Sequence, residues 1–194
     1  HGIPSTFFVG MQRGLGLSYS MESASQAITH LMQNGHEIGV HGMAYQNQAK
    51  INEEVRRFQA LVMGAKQLGI RNHYLRTSQN TPGMMAAAGY AFDSTEDRIA
   101  SPYRLGNIIE FPVCMMDSYM LSPGHNDLER VKEQTCKRLR QAERDGVTHF
   151  TIDTHDIYYS DLYPDHKAWY EWLAEYIWER YPVTNFSSAM EEVA

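Results

Sequence analysis

The sequence is poor in cysteine. Cys114 and Cys136 are its two in 194 residues, and they show no C-x-x-C spacing. That excludes a disulfide framework and a structural zinc module, and leans towards a reducing, cytoplasmic compartment or no redox dependence. Long apolar runs are missing too: none approaches the roughly 18 residues of a membrane-spanning helix. So is an excess of positive charge, because 17 Lys and Arg stand against 23 Asp and Glu, a net −6 with histidine neutral. The electrostatic case for a general nucleic-acid or anionic-membrane partner falls with it. No internal repeat, low-complexity stretch or charged tail is present. What remains is globular in composition, 43% hydrophobic and 21% charged. A single domain over residues 1–194 is expected.

Short β-type runs alternate with longer amphipathic helices. Ser5-Thr6-Phe7-Phe8-Val9, closed by Gly10, reads as a strand. Ser23 and Gln26 have capping-box spacing ahead of Ala27, Ile28, Leu31 and Met32, and Gly35 suits a helix C-terminus. Residues 36–40 form the next strand. A helix is predicted from about Asn52, with Glu53 and Glu54 in its first turn, Val55, Phe58, Leu61, Val62, Ala65 and Leu68 on one face, and Gly69 as its stop. His73-Tyr74-Leu75-Arg76 reads as the third strand. Thr81-Pro82 opens a short helix that Gly89 ends. Tyr90-Ala91-Phe92 and residues 107–113 are strands four and five, with 95–106 a long loop.

His125 reads as a loop residue before a helix cap. Asn126 and Glu129 then open a long helix with Leu128, Val131, Thr135, Leu139 and Ala142 inward and Gly146 at its end. Residues 147–152 are the sixth strand and 165–181 the last long helix. Its stripe of Trp169, Trp172, Leu173, Tyr176, Ile177 and Tyr181 has the spacing of a core face. Strands separated by helices of this length imply βαβ units and a parallel sheet, hence one α/β domain, open or barrel-like.

Parallel α/β folds place their sites at the C-terminal ends of strands, where loops converge. The polar residues predicted there are His41, Arg76, Asp93, Asp117, Asp153, His155 and Asp156. Two histidines and several carboxylates on one rim form a metal or acid–base constellation. Asp153 and Asp156 flank His155, and carboxylate neighbours keep an imidazole protonated, as an acid catalyst requires. Asp93 and Asp117 can equally cap turns.

Several of these segments resemble one known family. His1-Gly2-Ile3-Pro4-Ser5-Thr6-Phe7-Phe8-Val9-Gly10 is similar to the segment before the second strand of the polysaccharide deacetylases (NodB-homology type, carbohydrate esterase family 4). Asn34-Gly35-His36-Glu37-Ile38-Gly39-Val40-His41-Gly42 resembles their second motif, in which G-H-E-I-G-x-H leads into H-x-x-x-H. Arg76 falls at the third motif. Ile109-Glu110-Phe111-Pro112-Val113 with Asp117 resembles the E-x-P-V strand and following Asp, and Ile152-Asp153-Thr154-His155-Asp156 the closing motif. Residues 183–191 resemble the family's final strand and helix.

The resemblance implies a distorted, incomplete (β/α) barrel with parallel strands, entered after the family's first strand. It implies one divalent metal, zinc most often, on an Asp and two His, and hydrolysis of an N-acetyl amide on a sugar or polysaccharide. His41 would be a metal ligand, His155 the general acid, Arg76 the residue orienting the catalytic carboxylate, and Asp117 a further catalytic group. The T-F-D-D motif that supplies the base and the metal-binding Asp is expected upstream of His1. The second metal histidine would fall at position 45, which is Tyr45. Either a group such as His36 substitutes, or metal is held weakly, or none is bound. Tyr45 is then a pocket wall that contacts substrate or a surface aromatic. Tyr158, with Tyr159 and Tyr163, could stack on a sugar face. The competing expectations are a metal-free carbohydrate-binding relative of the same fold and a hydrolase of small cyclic amides.

Overall fold

The structure, a computed structural model, describes residues 2–14, 17, 19–65, 67–122 and 126–193. His1 and His125 lie outside them. The chain runs β1 (Thr6–Gly10), α1 (Met21–Gln33), β2 (Glu37–Gly42), α2 (Gln48–Leu61), β3 (Gly69–Asn72), α3 (Thr81–Ala88), β4 (Phe92–Asp93), β5 (Tyr103–Leu105) and β6 (Ile108–Glu110). It continues as β7 (Val113–Met116), α4 (Asp117–Met120), α5 (Leu128–Arg144), β8 (Thr151–Asp153), α6 (Pro164–Arg180) and α7 (Phe186–Val193). Two compact units result. One holds Pro4–Glu96, Pro102–Phe111 and Thr184–Ala194; the other holds Asp97–Ser101 and Pro112–Val183 with the first three residues.

The first unit is built on a sheet in the order β1-β2-β3-β4-β6-β5, parallel except where β5 runs against β6. Glycine sets its spacing at two points. A Cβ on Gly39 would stand 2.7 Å from the Phe8 ring, and one on Gly69 would fall within the ring of Phe92. Phe186 of α7 stacks on Phe92 at 5.0 Å over this face. Alternation along the strands turns Ile38, Val40, Ile70 and Ile108 to the other face, buried with Ile28, Ile51, Val55, Phe58 and Met85 of α1 to α3. Each such burial contributes about 1.5–3 kcal/mol. Glu37 fastens α7 to the sheet: it accepts from Phe186 N at 3.0 Å and Ser187 N at 3.2 Å, and from the hydroxyls of Thr6 and Ser187. A carboxylate there also suits the helix dipole.

In the second unit β7 and β8 pair in parallel, Val113 opposite Thr151 and Met116 opposite Asp153. Val131 of α5 and Trp169 and Leu173 of α6 are buried in one cluster with Met115. The fully buried Trp169 donates from Nε1 to Thr135 Oγ1 at 3.0 Å, and that hydroxyl donates to Val131 O at 2.9 Å. The indole's one polar atom is thereby satisfied.

Several sequence expectations shift. Ser20, not Ser23, caps α1, accepting from Ser23 N at 3.1 Å. Asn47 caps α2, so the helix starts at Gln48 and Glu54 lies well inside it, fully buried. The third strand is Gly69–Asn72, because Gly69 alone lets the chain pass Phe92. The expected strand His73-Tyr74-Leu75-Arg76 is a 3-10 turn over His73–Leu75. The expected loop 95–106 contains β5. The run 107–113 breaks at Pro112, which has no N–H for a ladder, and its halves join different sheets. The sixth strand is shorter and later than 147–152, and residues 183–185 form no strand before α7.

Replacing Thr135 with Val conserves volume but leaves the Trp169 N–H without its acceptor. We expect a loss of about 1–3 kcal/mol, read by urea denaturation as a lower midpoint at unchanged slope. An unchanged midpoint would show that the indole finds another partner.

Candidate functional site

The sequence-predicted residues divide between the units. Asp117, His155 and Tyr158 lie in the second; His41, Tyr45 and Arg76 lie in the first.

Asp117 follows β7 directly, and its residue is 3% exposed. Its carboxylate takes three donors. Ser118 N donates to Oδ1 at 2.6 Å, His155 N donates to Oδ2 at 2.6 Å, and His155 Nδ1 meets Oδ1 at 2.7 Å. His155 follows β8, so the parallel pairing of β7 with β8 brings together two residues 38 apart in sequence. An Nδ1–H held by a carboxylate fixes the imidazole tautomer, so proton exchange falls to Nε2. The His155 side chain is 42% exposed, which leaves the ring accessible. Its bonded carboxylate is therefore Asp117; of the flanking acids expected to serve, Asp156 Oδ1 accepts from Ile157 N instead.

Tyr158 meets the His155 ring edge-on at 5.6 Å and packs on His166 at 4.5 Å. His166, which the sequence reading missed, is 3% exposed, and its buried Nε2 has no hydrogen-bond partner. Burial pushes its imidazole below the ordinary value, against the opposing pull of Asp117 and Asp165. The clue available in sequence was a lone polar residue on the inner stripe of α6.

In the first unit His41 sits at the end of β2, in register between Gly10 and Arg71. Its ring lies 4.8 Å from that of His73. Arg76 follows the 3-10 turn, not a strand. It donates from Nε to His73 O at 3.0 Å and from Nη2 to Met43 O at 2.9 Å. The same guanidinium lies 5.0 Å from the centre of the Tyr45 ring, a cation–π contact. The loop before α2 is fixed by Glu54, which accepts from Met43 N at 2.8 Å and Gln12 Nε2 at 3.0 Å. Burial pushes the Glu54 carboxyl up, and the backbone donors Met43 and Ala44 pull it back.

The implied zinc can be tested against these donors. His41 is present, and Tyr45 presents its ring to Arg76. His36 packs edge-on against Phe7 and lies five residues before His41 along an extended run, about 16 Å away, so it cannot share an ion with His41. Among the described residues no group of three or more His, Cys, Asp or Glu side chains is placed to hold a metal ion. The donor set that the resemblance implies is thus incomplete among the described residues.

Asp93 does not face solvent as a loop acid would. It pairs in register with Glu110 across β4 and β6, and the two are 3% and 1% exposed. Thr95 Oγ1 donates to Asp93 Oδ1 at 2.5 Å, while Thr95 N and Glu96 N donate to Glu110 Oε1 at 3.1 and 2.9 Å. Burial pushes both carboxyls up, Asp93 well above the usual range with Glu110 adding to it.

The chain is similar to the crystal structure of a candidate polysaccharide deacetylase from Mycobacterium smegmatis: TM-score 0.74 and 20% identity over 98% of this chain and 72% of the other. A second similar structure is a candidate polysaccharide deacetylase involved in O-antigen biosynthesis from Bordetella bronchiseptica. There the TM-score is 0.50 and the identity 17%, over 81% of this chain and 61% of the other. No protein-family model and no curated protein matches the sequence. The chain has a polysaccharide deacetylase-type fold, mixed α/β with mostly parallel strands.

The raised Asp93 and Glu110 give a signed pH dependence. A native carboxyl whose proton affinity exceeds that of the unfolded chain holds its proton where the unfolded one has lost it. Stability therefore falls as pH rises from about 4, the ordinary carboxylate range, through the raised native values. Asp93→Asn should flatten this slope in unfolding free energy measured from pH 4 upward. Equal slopes in both proteins would exclude a shared proton.

Proposed function

We propose that the protein hydrolyses the N-acetyl amide of a sugar or polysaccharide, with a divalent metal, zinc by resemblance, as cofactor. The observation that carries this reading is the Asp117–His155 pair, held at the ends of two parallel strands with the imidazole exposed. Amide cleavage expels an amine, which must be protonated as it leaves. His155 supplies that proton from Nε2, and Asp117 holds the ring and balances its charge. The similarity of the fold to two candidate polysaccharide deacetylases supports the substrate class.

Tyr158 contacts His155 from one side, and Tyr159 is 52% exposed on the same turn. Their faces supply apolar surface against which a pyranose ring can pack. Arg76 braces the loops after β2 and β3, and the Tyr45 ring that it covers forms a wall beside His41's strand end. A divalent metal, when bound, would polarise the acetamide carbonyl. Of the ligands that the resemblance assigns to it, this chain supplies His41.

The test is acetate release from N-acetylglucosamine oligomers. The wild-type protein should release acetate and lose that activity with a chelator. His155→Ala should lower kcat by about 10²–10⁴, the usual weight of a general acid, with the fold intact by circular dichroism. Asp117→Asn should lower kcat with little change in KM, because it acts through His155. Undiminished turnover in His155→Ala would remove it as the acid. Oligomer binding without acetate release, unaffected by chelator, would favour the metal-free carbohydrate-binding reading.

A further inference from the structure

We infer that His166 is a positioning residue of the Asp117–His155 pair: by seating the Tyr158 ring, it fixes the tilt of the His155 imidazole. The inference rests on the hydrolase reading only for the use made of that imidazole. Asp117 holds His155 at its backbone N and at Nδ1, at 2.6 and 2.7 Å. A hydrogen bond tolerates about 30° of misalignment, so these anchors set the ring's place more firmly than its tilt. The tilt matters because it aims Nε2, the atom that would meet a substrate. Tyr158 restrains it, meeting the imidazole edge-on at 5.6 Å with the planes 68° apart.

Tyr158 in turn needs a seat, because it stands on a single 3-10 turn, Asp156–Tyr158, at the surface. His166 supplies one from α6. Its ring lies 4.5 Å from that of Tyr158, with the planes 31° apart. Tyr163 closes the corner, edge-on to Tyr158 at 5.0 Å and to His166 at 5.7 Å. The start of α6 is itself anchored: Asp165 Oδ2 accepts from Asn126 N at 2.7 Å, and Lys167 N donates to Tyr163 O at 3.0 Å. The rings thus run from His166, 3% exposed, to the His155 side chain, 42% exposed. His166 gains no hydrogen bond at Nε2, which is buried without a partner. Asp117 and Asp165, the carboxylates whose charge reaches it, serve Ser118, His155 and Asn126. A buried polar atom left unpaired costs stability and calls for an explanation. Here the side chain delivers its flat face, placed under the ring that borders the general acid.

Magnetic resonance of the His155 ring in the full chain tests the seat without reference to turnover. The ring signals should shift in His166→Ala, shift alike in Tyr158→Ala, and stay in place in His166→Phe, which keeps a flat ring and drops the orphan nitrogen. In acetate release from N-acetylglucosamine oligomers, His166→Ala and Tyr158→Ala should each lower kcat/KM by about 10-fold, the order of one aromatic pair. The double variant should be no worse than either, because both remove one coupled contact. His166→Phe should recover kcat/KM to within about 2-fold of wild type. Since His166→Ala could loosen α6, Tyr158→Ala reports the same contact from the surface turn. His155 signals that ignore His166→Ala, losses that add in the double variant, or a His166→Phe as impaired as His166→Ala would overturn the inference. Matching His155 shifts in a protein that releases no acetate would uphold the seat and defeat the hydrolase reading. Acetate release at the wild-type rate in His166→Ala would do the reverse.

Discussion

Buried and half-buried carboxylates act here as acceptors for backbone N–H groups that no strand or helix serves. A loop leaving a parallel sheet has donors with no ladder partner, and a buried orphan costs about 1–3 kcal/mol. Four acids answer that constraint. Glu37 takes the first N–H groups of α7, Glu54 those of Met43 and Ala44, Glu110 those of Thr95 and Glu96, and Asp117 those of Ser118 and His155. Each fixes a turn at one end of a strand or helix. In the last case the fixed residue is the imidazole to which we assign the chemistry, so folding and function meet in one carboxylate.

How much of this could be read in the sequence depended on the range of the signal. Local periodicity located α1, α5 and α6, whose buried faces recur every three to four residues, and the glycines after α1, α3 and α5 marked their ends. Boundaries failed where the deciding contact was distant. Gly69 reads as a helix stop until Phe92 is seen across the sheet. The aromatic run after Asn72 reads as a strand, but the sheet buries the four residues before it, Gly69–Asn72. The 107–113 run looks continuous, yet Pro112 divides it between two sheets.

The candidate site followed the same division. A strand-end rule was enough to single out His41, Asp117 and His155, because it needs only strand positions. It could not say that Asp117 bonds His155, since that pairing arises from the β7–β8 register. His166 was hidden within an aromatic stripe. Tyr45 stands where the resemblance would put the second metal histidine, and the structure sets its ring under the Arg76 guanidinium.

The most direct test of the account is the tautomer of His155, read by nitrogen-15 and proton resonance of the imidazole ring. A ring whose neutral form keeps its proton at Nδ1, with a far-downfield Hδ1 that vanishes on replacing Asp117 with Asn, is the result expected of a carboxylate-held imidazole. A ring protonated at Nε2, or a spectrum that ignores the loss of the Asp117 charge, would contradict it.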